Sequence, residues 1–80
     1  MRLDKYMKAS RLVKRRTVAN ELCDAGRVML NGKPARASKE VSVGDIIEIT
    51  SGERVTKAEV LAVELPKTKE DSRSMCRILD

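Results

Sequence analysis

Residues 22–35 read LCDAGRVMLNGKPA, and the spacing of the apolar residues changes in the middle of that stretch. Up to Gly26 the spacing is helical. From Arg27 onward Val28 and Leu30 alternate with Arg27 and Met29, which is the period of a strand. Gly26 stands where a helix ends on a left-handed residue, and Asn31-Gly32 is the dipeptide that a two-residue hairpin turn favours. Lys33-Pro34-Ala35 should return as a short edge segment, because Pro34 has no N–H to give to a ladder. A helix that runs directly into a hairpin argues for the α+β class.

Toward the N-terminus, a helix from about Arg15 to Ala25 would turn Val18, Ala19 and Leu22 inward and leave Asn20, Glu21 and Asp24 outside. A first helix from Arg2 to about Ser10 carries Leu3, Tyr6 and Met7 on one face and points Lys5 and Lys8 away. Toward the C-terminus, Arg36 to Val43 reads as a polar loop and Gly44-Asp45 as a turn. Ile46 to Thr50 reads as a strand, with Ser51-Gly52-Glu53 as the connection. A partner strand from about Val55 to Leu65 shifts its apolar register near Val60-Leu61, as a bulge would make it do. From Pro66 a charged run precedes the cluster Met75-Cys76-Arg77-Ile78-Leu79, which can pack as a helical turn or fray. The expected organisation is one domain over 1–65 and a C-terminal extension, 66–80, with no assigned role.

The chain of 80 residues has no Trp and no Phe, and Tyr6 is its single aromatic, so aliphatic side chains must fill one small core. No stretch approaches the ~20 apolar residues that span a bilayer. Cys23 and Cys76 form no CxxC pair and there is no His, so both read as reduced thiols. Cys23 lies beside the apolar stripe and reads as a packed thiol rather than a nucleophile. With no Gly-rich phosphate loop and no metal-ligand cluster, nothing points to an enzyme or a cofactor.

Charge is divided unevenly. Residues 1–39 hold eleven Lys and Arg against three Asp and Glu, a net +8, and residues 40–80 hold six against nine, a net −3. Arg2, Lys5, Lys8, Arg11, Lys14, Arg15 and Arg16 fall within sixteen residues, with only Asp4 among them to offset the charge. Lys14, Arg15 and Arg16 sit at a helix start, where the macrodipole disfavours each cation by roughly 0.3–1 kcal/mol. A broken local rule of this kind points to function, and the natural counterpart of the cluster is a polyanion. The scarcity of aromatics favours structured RNA or DNA held by its phosphates over single strands held by stacking. Asp4 has two available jobs: to orient neighbouring Arg or Lys side chains, or to meet an RNA hydroxyl or base edge. Glu48, Glu53, Glu59 and Glu64 in the acidic half read as a solvated strand face or a protein contact. Two other readings remain: a helix-turn-helix DNA regulator and a basic amphipathic helix on a membrane surface. For the second, residues 3 to 7 offer too narrow an apolar face.

These residues together resemble the S4 domain, the RNA-binding family named after ribosomal small-subunit protein four. The matching residues are Arg2-Leu3-Asp4-Lys5, Arg15-Arg16 with Ala19 and Leu22, Gly26-Arg27-Val28 and Asn31-Gly32-Lys33, then Ala35, Ser38, Val41 and Gly44-Asp45, over roughly residues 1 to 64. The resemblance implies two N-terminal helices on a small bent antiparallel sheet, with Arg2, Asp4, Lys5, Arg11, Lys14, Arg15, Arg16, Arg27 and Lys33 on an RNA-binding surface. Arg15 departs from the Ser or Thr that caps the second helix in many members. A stand-alone chain opening Met-Arg-Leu-Asp-Lys and continuing SRLVKRR resembles the branch serving bacterial ribosome-associated quality control, and a ribosome-associated heat-shock branch is similar. That likeness implies a cytoplasmic monomer, without cofactor or membrane. Its partners would be large-subunit ribosomal RNA, peptidyl-tRNA and a nascent-chain tailing factor.

Overall fold

The structure, a computed structural model, describes residues 1–79. Helices α1 (Leu3–Ala9) and α2 (Arg16–Asp24) lead into strands β1 (Val28–Leu30), β2 (Lys33–Pro34), β3 (Ile46–Ser51) and β4 (Arg54–Val60). A short helix α3 (Lys69–Arg73) and strand β5 (Cys76–Leu79) follow. The sheet is antiparallel throughout, in the order β2-β1-β3-β4-β5, so the fold is the α+β arrangement that the period change implies.

Both signals in the deciding stretch are found. Gly26 has φ +73°; its N–H reaches the Cys23 carbonyl at 3.0 Å and the Arg27 N–H reaches that of Leu22 at 2.9 Å, the two bonds that close a helix on a left-handed residue. Asn31 and Gly32 both have positive φ, +52° and +82°, and Leu30 pairs with Lys33 across them, a two-residue turn whose twist matches its strands. The Asn31 side chain fastens the hairpin to the start of β3: its Oδ1 accepts the Ile46 N–H at 2.9 Å and its Nδ2 donates to Asp45 at 3.1 Å. Strand β2, with Pro34, is an edge of the sheet.

The core lies between one face of the sheet and the two helices. Leu3, Tyr6, Met7, Ala19 and Cys23 meet Val28, Leu30, Ile47, Ile49 and Val60, and Met75 closes the layer from the C-terminal segment. Two residues on α2 depart from the sequence reading. Val18 is 37% exposed, and Cys23, one turn beyond Ala19, takes the inward place instead. Asn20, expected outside, is half-buried because its amide reaches back to α1.

The stretch from Arg36 to Val43 is more than a polar loop. Its Ala37 and Val41 are buried, and its Lys39 and Ala37 carbonyls accept the Leu3 and Asp4 N–H groups at 2.8 and 3.1 Å. Helix α1 has no side-chain cap at its start, so this loop supplies partners that the free N–H groups of the first turn need.

Strand β4 ends at Val60 rather than running to Leu65. Just past it the Leu61 and Ala62 N–H groups both donate to the Met75 carbonyl, at 2.8 and 3.1 Å, two residues facing one as in a bulge. The register shift near Val60-Leu61 thus coincides with the end of the strand. Beyond it, the charged run folds as α3, capped by Thr68 Oγ1, which accepts the Asp71 N–H at 3.1 Å. The apolar cluster is the fifth strand, paired with β4 from Val60–Cys76 to Lys57–Leu79. The Tyr6 hydroxyl donates to the Met75 carbonyl at 2.5 Å across 69 residues of sequence, which ties α1 to the C-terminal segment. Replacing Tyr6 with Phe leaves that carbonyl its two backbone donors, so the expected loss is one net hydrogen bond, about 0.5–1.5 kcal/mol. An unfolding free energy from urea titration lowered by that amount confirms the tie, and an unchanged one refutes it.

Candidate nucleic-acid interface

Asp4 lies on the second residue of α1 and is 1% exposed, although it is ionisable and surrounded by sequence that reads as surface. A buried carboxylate must be matched by donors, and here four are found. Arg16 Nε and Asn20 Nδ2 each donate to Oδ2 at 3.0 Å, Arg2 Nη2 donates to the same oxygen at 3.3 Å, and the Lys5 N–H reaches Oδ1 at 2.8 Å. Arg2 Nε also stands 3.3 Å from Oδ1. Burial by itself would raise the Asp4 pKa, but the bonds from Arg16, Asn20 and the Lys5 backbone, with the Arg16 charge, hold it below the usual carboxylate value. The group is thus an anion at neutral pH.

The consequence falls on the two arginines. Their side chains stay about half exposed, 48% for Arg2 and 46% for Arg16, while one edge of each is pinned to Asp4. A guanidinium fixed in this way loses less freedom when its remaining N–H groups meet a phosphate. The position of Arg16 is itself a cost, since α2 has no acidic residue in its first turn and its N-cap, Arg15, offers no side-chain bond. Asp4 in effect replaces that missing carboxylate from the neighbouring helix.

The other cations divide into groups. Lys8, Arg11 and Lys14 line one groove with Val13, on the link between the helices. Arg11 holds φ +65° there, a left-handed conformation that a residue with a Cβ adopts at a cost. Lys33 lines a second groove on the far side of the hairpin, together with Arg36 and Lys39. A third depression joins Arg2 and Asn20 to Arg36 and so connects the two sides. Lys5 and Arg15 are exposed beside the Asp4 cluster in sequence, and Arg27 is exposed at the end of α2 without joining either groove.

Sequence reasoning missed Asn20, Arg36 and Lys39. Lys33, Arg36 and Lys39 recur every third residue, a signal that was available but that the polar loop reading passed over. In the acidic half, Glu48 faces Lys57 at 3.9 Å and Glu59 pairs with Arg77, both across neighbouring strands. Burial raises the pKa of both thiols, with the Asp4 and Asp24 charges adding to it at Cys23. Both therefore stay protonated and weakly reactive. Among the described residues no helix is long and apolar enough to cross a membrane.

Comparison with known proteins places these features in company. The S4 domain model matches residues 1–47. The RQC P-site tRNA stabilizing factor of Streptococcus pneumoniae is 44% identical over 79 residues, 99% of this chain and 90% of that protein. Its counterpart in Bacillus subtilis is 42% identical over 79 residues, 99% and 92% of the two. Among solved structures, the trimeric structure of heat shock protein 15 from Vibrio cholerae superposes with a TM-score of 0.87 at 26% identity, covering 99% of this chain and 81% of that one.

The strained backbone of Arg11 separates stability from binding. Substituting Arg11 with Gly relieves the left-handed strain, and stability should rise by up to about 1 kcal/mol, while affinity for a structured RNA falls. Thermal melting and RNA titration of the same sample check both signs. A variant that is less stable, or that binds RNA as tightly, contradicts the reading.

Proposed function

The chain belongs to the S4 domain family, and from that premise we propose that it is a non-catalytic RNA-binding factor of bacterial ribosome-associated quality control. In this reading it binds large ribosomal subunits that carry obstructed peptidyl-tRNA, and it holds that tRNA while a tailing factor on the same subunit extends the stalled chain. The RNA-binding unit is residues 1–65, and the place of action is the cytoplasm. The observation that carries the proposal is the buried Asp4 with Arg2 and Arg16 pinned on it, in a chain 44% identical over nearly its whole length to a relative whose name specifies P-site tRNA.

The mechanism is positional. Arg2, Lys5, Arg11, Lys14, Arg15 and Arg16 contact phosphates on the helical side, and Arg27 and Lys33 extend the surface along the hairpin. Asp4 orients the guanidiniums and does not itself meet RNA, because its oxygens are enclosed and already accept four donors. Each phosphate contact releases condensed counterions, so binding weakens steeply with salt. No bond is made or broken by this chain. A second reading, a recycling-type heat-shock RNA-binding protein, is favoured by the likeness to the Vibrio cholerae structure. Its identity to this chain is well below that of the quality-control relatives. A helix-turn-helix regulator is disfavoured, because α2 is followed by a five-stranded sheet rather than further helices.

Sucrose-gradient co-sedimentation with dissociated ribosomes tests the proposal. Wild type is expected in the fraction of large subunits carrying tRNA, and the Arg16→Ala variant near the top. Wild-type association with small subunits alone, or with none while the chain still binds isolated RNA, removes the ribosomal assignment.

A further inference from the structure

Helix α2 does not cover the whole inner face of the sheet. Along its flank a cleft opens between Val13, Val18 and Leu22 on one wall and Ile49 and Thr56 at the sheet. Val18 is the residue that the helical pattern assigns to the core, and it is left 37% exposed here. Leu12 and Val13 are held at the mouth by a fixed turn, since the Val13 N–H donates to the Met7 carbonyl at 3.1 Å and Arg11 holds its left-handed conformation beneath it. The apolar wall is therefore presented by ordered backbone.

The rim supplies the second observation. Lys14 and Arg54 flank the cleft and no carboxylate lines it. Neither cation has an ion-pair partner among the described residues. A groove that is apolar along its length and cationic at its edges is complementary to an apolar stripe bordered by carboxylates. No aromatic ring lines it, so a nucleobase would find nothing to stack on.

We propose that this cleft docks an amphipathic helix of a protein partner, with aliphatic residues at i, i+3 or i+4 and i+7 facing Val13, Val18 and Leu22, and Asp or Glu beside them facing Lys14 and Arg54. The cleft lies apart from the Asp4 cluster but shares Val13 and Lys14 with the groove that holds Lys8 and Arg11, so a protein helix seated here would compete with RNA for Lys14.

The test uses a synthetic helical peptide with a Leu stripe flanked by Glu, its charge-reversed form flanked by Lys, and a structured RNA hairpin, each titrated into the full chain with methyl NMR as the readout. The Glu peptide should shift the Val13, Val18 and Leu22 methyls, and both the Lys peptide and the Val18→Glu variant should weaken that binding about tenfold, the scale of a repelled charge in a contact. Val18→Glu is expected to fold, because a carboxylate at the third position of α2 suits the helix dipole. The Arg16→Ala variant, which should lose RNA affinity, keeps the peptide shifts. Equal binding of the two peptides, no shift with the Glu peptide, or RNA moving the Val18 and Leu22 methyls as strongly would each overturn the proposal, the last by giving the cleft to RNA.

Discussion

A carboxylate enclosed by protein cannot stand alone, and the position of Asp4 obliges several elements to meet. Its backbone N–H takes the Ala37 carbonyl from the loop after the hairpin, and its oxygens take Arg16 and Asn20 from α2 and Arg2 from the residue that opens α1. One residue thus ties the two helices and the two guanidiniums together through its carboxylate, and the loop through its backbone. Because the arginines remain half in water, the net worth of each ion pair to stability is small once screening is considered. Their value lies in geometry: a cation held in place on a surface whose neighbouring Lys5, Lys8, Arg11, Lys14 and Arg15 have no ion-pair partner among the described residues. As pH falls, Asp4 binds its proton later than an unfolded aspartate would, so the stability it contributes is present above the ordinary aspartate value of 3.8 and is lost as pH drops through its lower folded value.

The parts of the fold that rest on local signals were legible in the sequence. Gly26 and Asn31-Gly32 are residue types that tolerate positive φ, and both are found in turns that need it. What the sequence hid was set by contacts between distant residues. The loop from Arg36 to Val43 is polar in composition, yet its carbonyls complete the first turn of α1, a role that only the packed partner reveals. The apolar run after Val60 looks like more strand. The regular ladder ends there because Leu61 and Ala62 both bond the one Met75 carbonyl, far along the chain. Val18 keeps a helical spacing with Ala19 and Leu22 and still faces the cleft, while Cys23 takes the inward place.

The candidate site was legible as charge and only partly as structure. Seven cations within sixteen residues are visible to anyone who counts them, but counting does not say which are fixed. The structure singles out Arg2 and Arg16 by their shared carboxylate and adds Asn20, which reads as an ordinary exposed helix residue. It also relates the C-terminal segment to the site, since the Tyr6 hydroxyl on the same helix as Asp4 reaches Met75. Residues 66–79 therefore brace the helix that carries the site, through a core that an 80-residue chain with one aromatic fills almost entirely with aliphatics.

The measurement that bears most directly on this account is the affinity of the Asp4→Asn variant for a structured RNA at fixed salt, in a sample shown by circular dichroism to be folded. The substitution raises the net charge by one unit, so a surface that binds by charge alone should hold RNA more tightly. If Asp4 acts by fixing Arg2 and Arg16, affinity falls despite the added charge. Equal or tighter binding would contradict the account.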